Sequence, residues 1–128
     1  MVQLITNGIN VSVKTTYDGV FTRQDNLNHL FSYYITIKNE SKENVQLLER
    51  HWDIFDSLNS LEIVEGEGVI GQTPILKPQD VYTYKSHCTL LGDAGSMGGF
   101  FTMINTATLE TFQVTIPTFQ LTTTVVLN

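Results

Sequence analysis

HLFSYYITIKN, residues 29–39, decides the fold. Phe31, Tyr33, Ile35 and Ile37 alternate with Ser32, Tyr34, Thr36 and Lys38. A period of two sends the first set to one face and the second to the other, as in a strand with one buried side. The residue types agree, because β-branched and aromatic side chains fit a pleated, half-buried surface. Asn39, Glu40, Ser41, Lys42, Glu43 and Asn44 then punctuate the run as a polar turn.

The same period recurs along the chain. Ile9, Val11 and Val13 alternate with Asn10, Ser12 and Lys14. Tyr82, Tyr84, Ser86, Cys88 and Leu90 share a face, as do Phe101 and Met103, and Phe112, Val114 and Ile116. LTTTVVL, residues 121–127, is strand-like again. Between Val45 and Asp56 the phase slips: Val45 and Leu47 begin on one face, and Leu48, Trp52 and Ile54 carry the apolar set on the other. Such a slip predicts a β-bulge near Leu47 and Leu48. No long stretch shows helical period with caps; the nearest, Asp25 to Leu30, is too short to weigh. Seven or so strands joined by Gly, Pro and Asn turns predict an all-β antiparallel sandwich of immunoglobulin or fibronectin type III kind, with residues 1–128 forming one domain. The Cys…Trp…Cys pattern of antibody domains is absent, so a disulfide-free variant fits better.

Charge narrows the function. With 41% hydrophobic and 16% charged residues the chain can build a core and does not read as disordered. Its net charge of −6 repels phosphate backbones, and no basic stripe exists to track nucleic acid or an anionic membrane. The N-terminus carries no secretory pattern and no apolar run reaches membrane-spanning length. The single cysteine, Cys88, has no internal disulfide partner. These features lead to the expectation of a cytoplasmic protein.

GEGVIG, Gly66 to Gly71, spells G-x-G-x-x-G, a dinucleotide fingerprint that works only where a strand leads in and a helix begins at the glycines. Leu61 to Glu65 can be that strand. Pro74 and Pro78 follow, each costing a helix about 3 kcal/mol or more. Glu65 and Glu67 would also repel a pyrophosphate. Gly66, Gly68 and Gly71 therefore read as a tight turn or bulge between strands. A second cluster, LLGDAGSMGGFF, reads as a flexible loop with Met97 at its centre as an adaptable apolar contact for a partner.

RHWDIFD, Arg50 to Asp56, is the densest polar-aromatic segment. His51 and Asp53 share a strand face, short of the three or four ligands a metal needs. Arg50 is expected to pair with a neighbouring carboxylate and Trp52 to anchor the core. Ser86 and His87 point to opposite faces, and no G-x-S-x-G is present. Cys88, between Tyr84 and Leu90 on the apolar face, reads as an inert thiol.

Taken in order, VQLLERHWDIFD, GEGVIGQTPILKPQDVYTYKS, GSMGGFFTM and VTIPTFQL resemble the ApaG family of bacterial proteins, over about Gly8 to Leu121. The resemblance implies a fibronectin type III-like sandwich, a protein-interaction role like that of related domains in eukaryotic adaptors, and an association with cobalt and magnesium resistance or efflux. It places the family's glycine motif on Gly66, Gly68 and Gly71, and its methionine-bearing loop on Gly95, Ser96, Met97 and Gly99. It implies no catalytic residue. One departure is Pro78-Gln79-Asp80, where the family usually has Pro-Gly.

The function expected is thus a non-enzymatic cytoplasmic binding module that holds a protein partner, without cofactor, metal site, nucleic acid or membrane. Its candidate contacts are Gly66, Gly68, Gly71, Gly95, Met97, Gly99, Arg50, His51 and Trp52. Edge pairing or face packing also gives a sandwich a route to a homodimer. The alternative is a sensor, of a divalent cation on the acidic middle from Glu49 to Glu67, or of a nucleotide or pyrophosphate on GEGVIG alone.

Overall fold

The alternation at residues 29–39 becomes β3 (Asn26–Asn39), an inner strand of the first of two antiparallel sheets. The computed structural model describes residues 1–123, and among these every regular element is a strand. The first sheet runs β1 (Val2–Thr6), β2 (Ile9–Arg23), β3, β7 (Val81–Leu90). The second runs β5 (Glu62–Glu67), β4 (Val45–Asp56), β8 (Ala94–Asn105), β9 (Thr111–Thr122), with β6 (Ile75–Leu76) also paired to β4. The expected sandwich is what forms. Of LTTTVVL, Leu121 and Thr122 end β9, while residues 124–128 lie outside the described residues.

The core lies where the inward sets meet. Ile9, Val11, Val13, Phe31, Tyr33, Ile35 and Ile37 of the first sheet are buried against Leu47, Trp52, Phe101, Met103, Val114 and Ile116 of the second. Tyr33, Trp52 and Phe119 form an aromatic knot, with ring centroids 5.3 to 5.9 Å apart and Trp52 edge-on to Phe119. The slip read in β4 is present: its register against β8 shifts between Leu47 and Glu49. A second shift, between Met97 and Gly99 against β9, accommodates Pro117, whose missing N–H is tolerated at a bulge.

Asn39 ends β3 as a fully buried hub. Its amide donates to the carbonyls of Glu43 and Leu76, and its side-chain oxygen accepts from the Ser41 backbone and hydroxyl. The turn read at Asn39 to Asn44 is thus wound around one side chain.

One expectation is corrected, and two stretches left open by the sequence take their place in strands. The glycine-rich segment around Met97 is strand from Ala94 onward, and Met97 is 1% exposed, so it is core and not a partner contact. The four small residues disguised the alternation, because glycine carries no side chain to register a phase. Asp25 to Leu30 falls in a turn and the start of β3, with no helical turn. β2 also continues past Tyr17 to Arg23, further than its apolar alternation reached.

That continuation builds an arm. β1 pairs β2 only as far as Val13, and β7 pairs β3 only from His29 onward. Gly19 and Val20 lie opposite Leu30 and His29, where β7 still pairs β3, and Phe21 to Arg23 with Asn26 to Asn28 form a two-stranded ribbon extending past the sandwich. Gln24 and Asp25 take positive φ of 51° and 64° to turn it, as a type I′ hairpin requires.

Candidate functional site

β4 sorts the charges of the acidic middle. After its bulge, Arg50, Trp52 and Ile54 point inward, and Glu49, His51 and Asp53 point outward. β5 lies alongside with Glu67 opposite Glu49, Gly66 opposite Arg50 and Glu65 opposite His51. Glu65 and Glu67 thus share the outer face, away from Arg50.

Arg50 does not take the carboxylate partner expected of it. Its Nη1 donates to the carbonyls of Glu67 at 3.0 Å and Gly68 at 2.9 Å. The guanidinium lies against Gly66, where a Cβ would come within 2.8 Å of it. Gly68 donates its N–H to the Leu48 carbonyl at 2.8 Å, and a side chain there would strike the Gln72 carbonyl. Val69 and Gln72 exchange both backbone hydrogen bonds around Ile70 and Gly71, which have φ of 47° and 72°. GEGVIG is therefore an edge strand running into a tight hairpin turn. The chain continues to β6, and no helix among the described residues turns its amides on an anion.

His51 gathers the outer face. Its Nε2 lies 3.0 Å from Asp53 Oδ1 and its Nδ1 3.3 Å from Glu65 Oε2. Its ring stacks on Phe100 at 4.6 Å and 7°. Desolvation pulls its pKa down, but hydrogen bonds to Asp53 and Glu65 and their charge outweigh that and raise it above the usual 6.5. Among the described residues no three His, Cys, Asp or Glu are grouped to hold a metal ion.

Trp52 is buried, as a core anchor is expected to be, which corrects its place among the partner contacts. Gly95 and Gly99 are ladder positions in β8, opposite Leu121 and Ile116 of β9. A side chain at Gly99, whose φ is +156°, would run into the His51 carbonyl. Arg50, His51 and Trp52 thus meet Gly66, Gly99 and the 68–71 turn around β4. Met97 and Gly95 stay apart from that turn, on the core side of β8. Cys88 is half-buried, and burial, with Glu62 and Asp56 nearby, pushes its thiol up to about 12. At neutral pH it is not a nucleophile.

The residues with most claim to partner contact were not singled out by sequence. On the arm, Val20 is 54% and Leu27 60% exposed on one face, and Phe21 is exposed on the other. Leu27 and Leu58, the latter in the turn between β4 and β5, line one open groove with His29 and Leu91. The available signal was Val20-Phe21 and Leu27 on either side of the polar stretch Thr22 to Asn26, the mark of a hairpin.

Comparison with known proteins agrees with this architecture. The family model for the ApaG domain matches residues 20–105. A protein ApaG from Mesorhizobium japonicum is 40% identical over 121 residues, covering 94% of this chain and 92% of that protein. One from Chromohalobacter salexigens is 37% identical over 113 residues, covering 88% and 89%. An X-ray structure of a structural-genomics target superposes with a TM-score of 0.87 at 36% identity, covering 94% of this chain and 91% of the other. The crystal structure of a putative ApaA protein from Bordetella pertussis gives 0.78 at 30%, covering 89% and 92%. From the arm to the end of β8, which the family model spans, and over most of the chain in its relatives, this protein belongs to the ApaG domain family.

Proposed function

We propose that this protein is a non-enzymatic, cytoplasmic protein-binding module and that the β2–β3 arm is its contact surface. The observation that carries this reading is the exposure of Val20, Phe21 and Leu27 on a ribbon that contributes none of these side chains to the core. A lone two-stranded hairpin is marginal in water, and exposed apolar side chains on it cost solubility. A partner that covers them relieves both. The thiol and hydroxyl candidates support a non-catalytic role, since Cys88 is held protonated and Ser86 and His87 face opposite ways.

The test is affinity capture from host-cell extract with the wild-type chain and with Phe21→Ser/Leu27→Ser. Exposed positions of this kind move stability by about 0.5 kcal/mol each, so the variant should stay folded. It should lose the proteins that the wild type captures, while a Glu67→Gln control keeps them. An identical capture profile from variant and wild type would remove the arm from the interface. The efflux association of the family bears on the sensor alternative. A rise of several degrees in melting temperature with magnesium or cobalt would favour that alternative over a partner-binding role.

A further inference from the structure

β5 and β7 are free edges of opposite sheets, and the sandwich stands open between them. A cleft of ≈ 340 Å³ reaches from this opening to the core. Trp52, Val64, Cys88 and Met97 line it with apolar surface, and Tyr33, Ser86 and Arg50, with Glu62, His87 and Thr89, bring the larger polar share. No other Lys or Arg lines it.

Arg50 is unusual in carrying its charge inward. Its Nη1 is spent on the carbonyls of Glu67 and Gly68. Nη2 and Nε, three further N–H donors, take no acceptor among the described residues, and no carboxylate lies within ion-pair distance. The neighbouring acids are turned away by strand alternation, since Glu49, Asp53, Glu65 and Glu67 share the outer face. Glu62 does line the cleft, but it sits four residues from Gly66 on β5, roughly 13 Å along the strand from the guanidinium. The Tyr84 hydroxyl is buried with no hydrogen-bond partner, close enough to Tyr33 and Arg50 to interact with both electrostatically.

We propose that the β5–β7 cleft binds a small apolar monocarboxylate, an aromatic or branched aliphatic acid. Its carboxylate pairs with Arg50 Nη2 and Nε, with the Tyr33 hydroxyl, itself hydrogen-bonded by Ser86, as a further donor. Its body lies against Trp52, Val64, Cys88 and Met97. The guanidinium fork matches a carboxylate in plane and spacing, and its partial burial strengthens the pairing. The volume is at the lower end for small-molecule pockets, and the lining is more polar than apolar, with Trp52, Val64, Cys88 and Met97 as its apolar side. A bare polyanion suits it poorly: one arginine faces it, and the chain carries −6 overall.

The test is a ¹H–¹⁵N titration of the full chain with phenylacetate, its neutral isostere phenylacetamide, and inorganic pyrophosphate. Phenylacetate should bind saturably and shift amides of β4, β5 and β7. The amide should bind at least ~10-fold more weakly, about 1.4 kcal/mol. Arg50→Gln should remove that preference. Because Arg50 also holds the 68–71 turn, a second variant, Ser86→Phe, fills the cleft from β7 and leaves Arg50 in place; it should abolish phenylacetate binding. Equal binding of acid and amide, perturbation by pyrophosphate alone, shifts confined to the arm, or wild-type binding by Ser86→Phe would each overturn the proposal.

Discussion

Ile70 is a β-branched residue in left-handed backbone, with φ of 47° at the first central position of a two-residue hairpin turn. Asn is favoured there, and a β-branched side chain in that region costs about 1 kcal/mol or more. Its side chain is exposed, so little burial is at stake. Ile70→Asn should therefore stabilise the protein by about 1 kcal/mol, a rise of roughly 4 °C in melting temperature by calorimetry. An unchanged or lower value would mean that Ile70 makes a contact worth more than its strain. Met97 is the opposite case. It is buried beside Phe119, so Met97→Ala should cost about 3 kcal/mol in a denaturant titration. His51 can donate to Asp53 and Glu65 at once only as an imidazolium. Its folded pKa lies above 6.5, so the folded state binds the proton more tightly than the unfolded chain. The stability it adds is complete below about pH 6.5 and is lost as pH rises through the higher folded value. The melting-temperature gap between wild type and His51→Gln should be widest near pH 6 and narrow toward pH 8.

Among the elements, β3 and β7 were legible because each alternates cleanly, and the slip in β4 was legible because Val45, Leu47, Trp52 and Ile54 are large enough to mark both phases. β8 was not. Gly95, Ser96, Gly98 and Gly99 leave its first half almost without side chains, and the same smallness that hid the strand lets β4 and β9 approach it closely. Gly99 shows how closely, since any Cβ there meets the His51 carbonyl. Gly99→Ala should cost about 3 kcal/mol and deprotect β4 and β8 amides in hydrogen exchange. Full protection would mean that the ladder relaxes around the methyl. The arm was missed for a different reason: its apolar residues face no core, so no burial pattern betrays them.

Over the whole molecule, the sandwich follows from period-two patterning, whereas the arm and the cleft depend on which strands end early. β1 stops at its pairing with Val13, which frees the arm, and among the described residues β5 and β7 have no further neighbour, which opens the cleft. Sequence pattern reports what each strand buries; it does not report where its neighbour ends. Arg50 was picked out by composition, yet its inward direction depends on the bulge at Leu48 as well as on the strand period. If the arm is peripheral to folding, replacing residues 22–27 with Asn-Gly should keep the melting temperature within about 3 °C of wild type. A larger drop would make the arm part of the cooperative unit.

The arm also fixes how the chain would respond to being cut. Arg23 stands at its tip, at the last pairing of β2 with β3. Cleavage by trypsin after Arg23 would leave two pieces, residues 1–23 and 24–128, holding the two halves of the longest ladder in the protein. Every core side chain would stay in place, and the nicked protein should run as one species until denatured. The same two pieces, made separately, are a natural pair for fragment complementation.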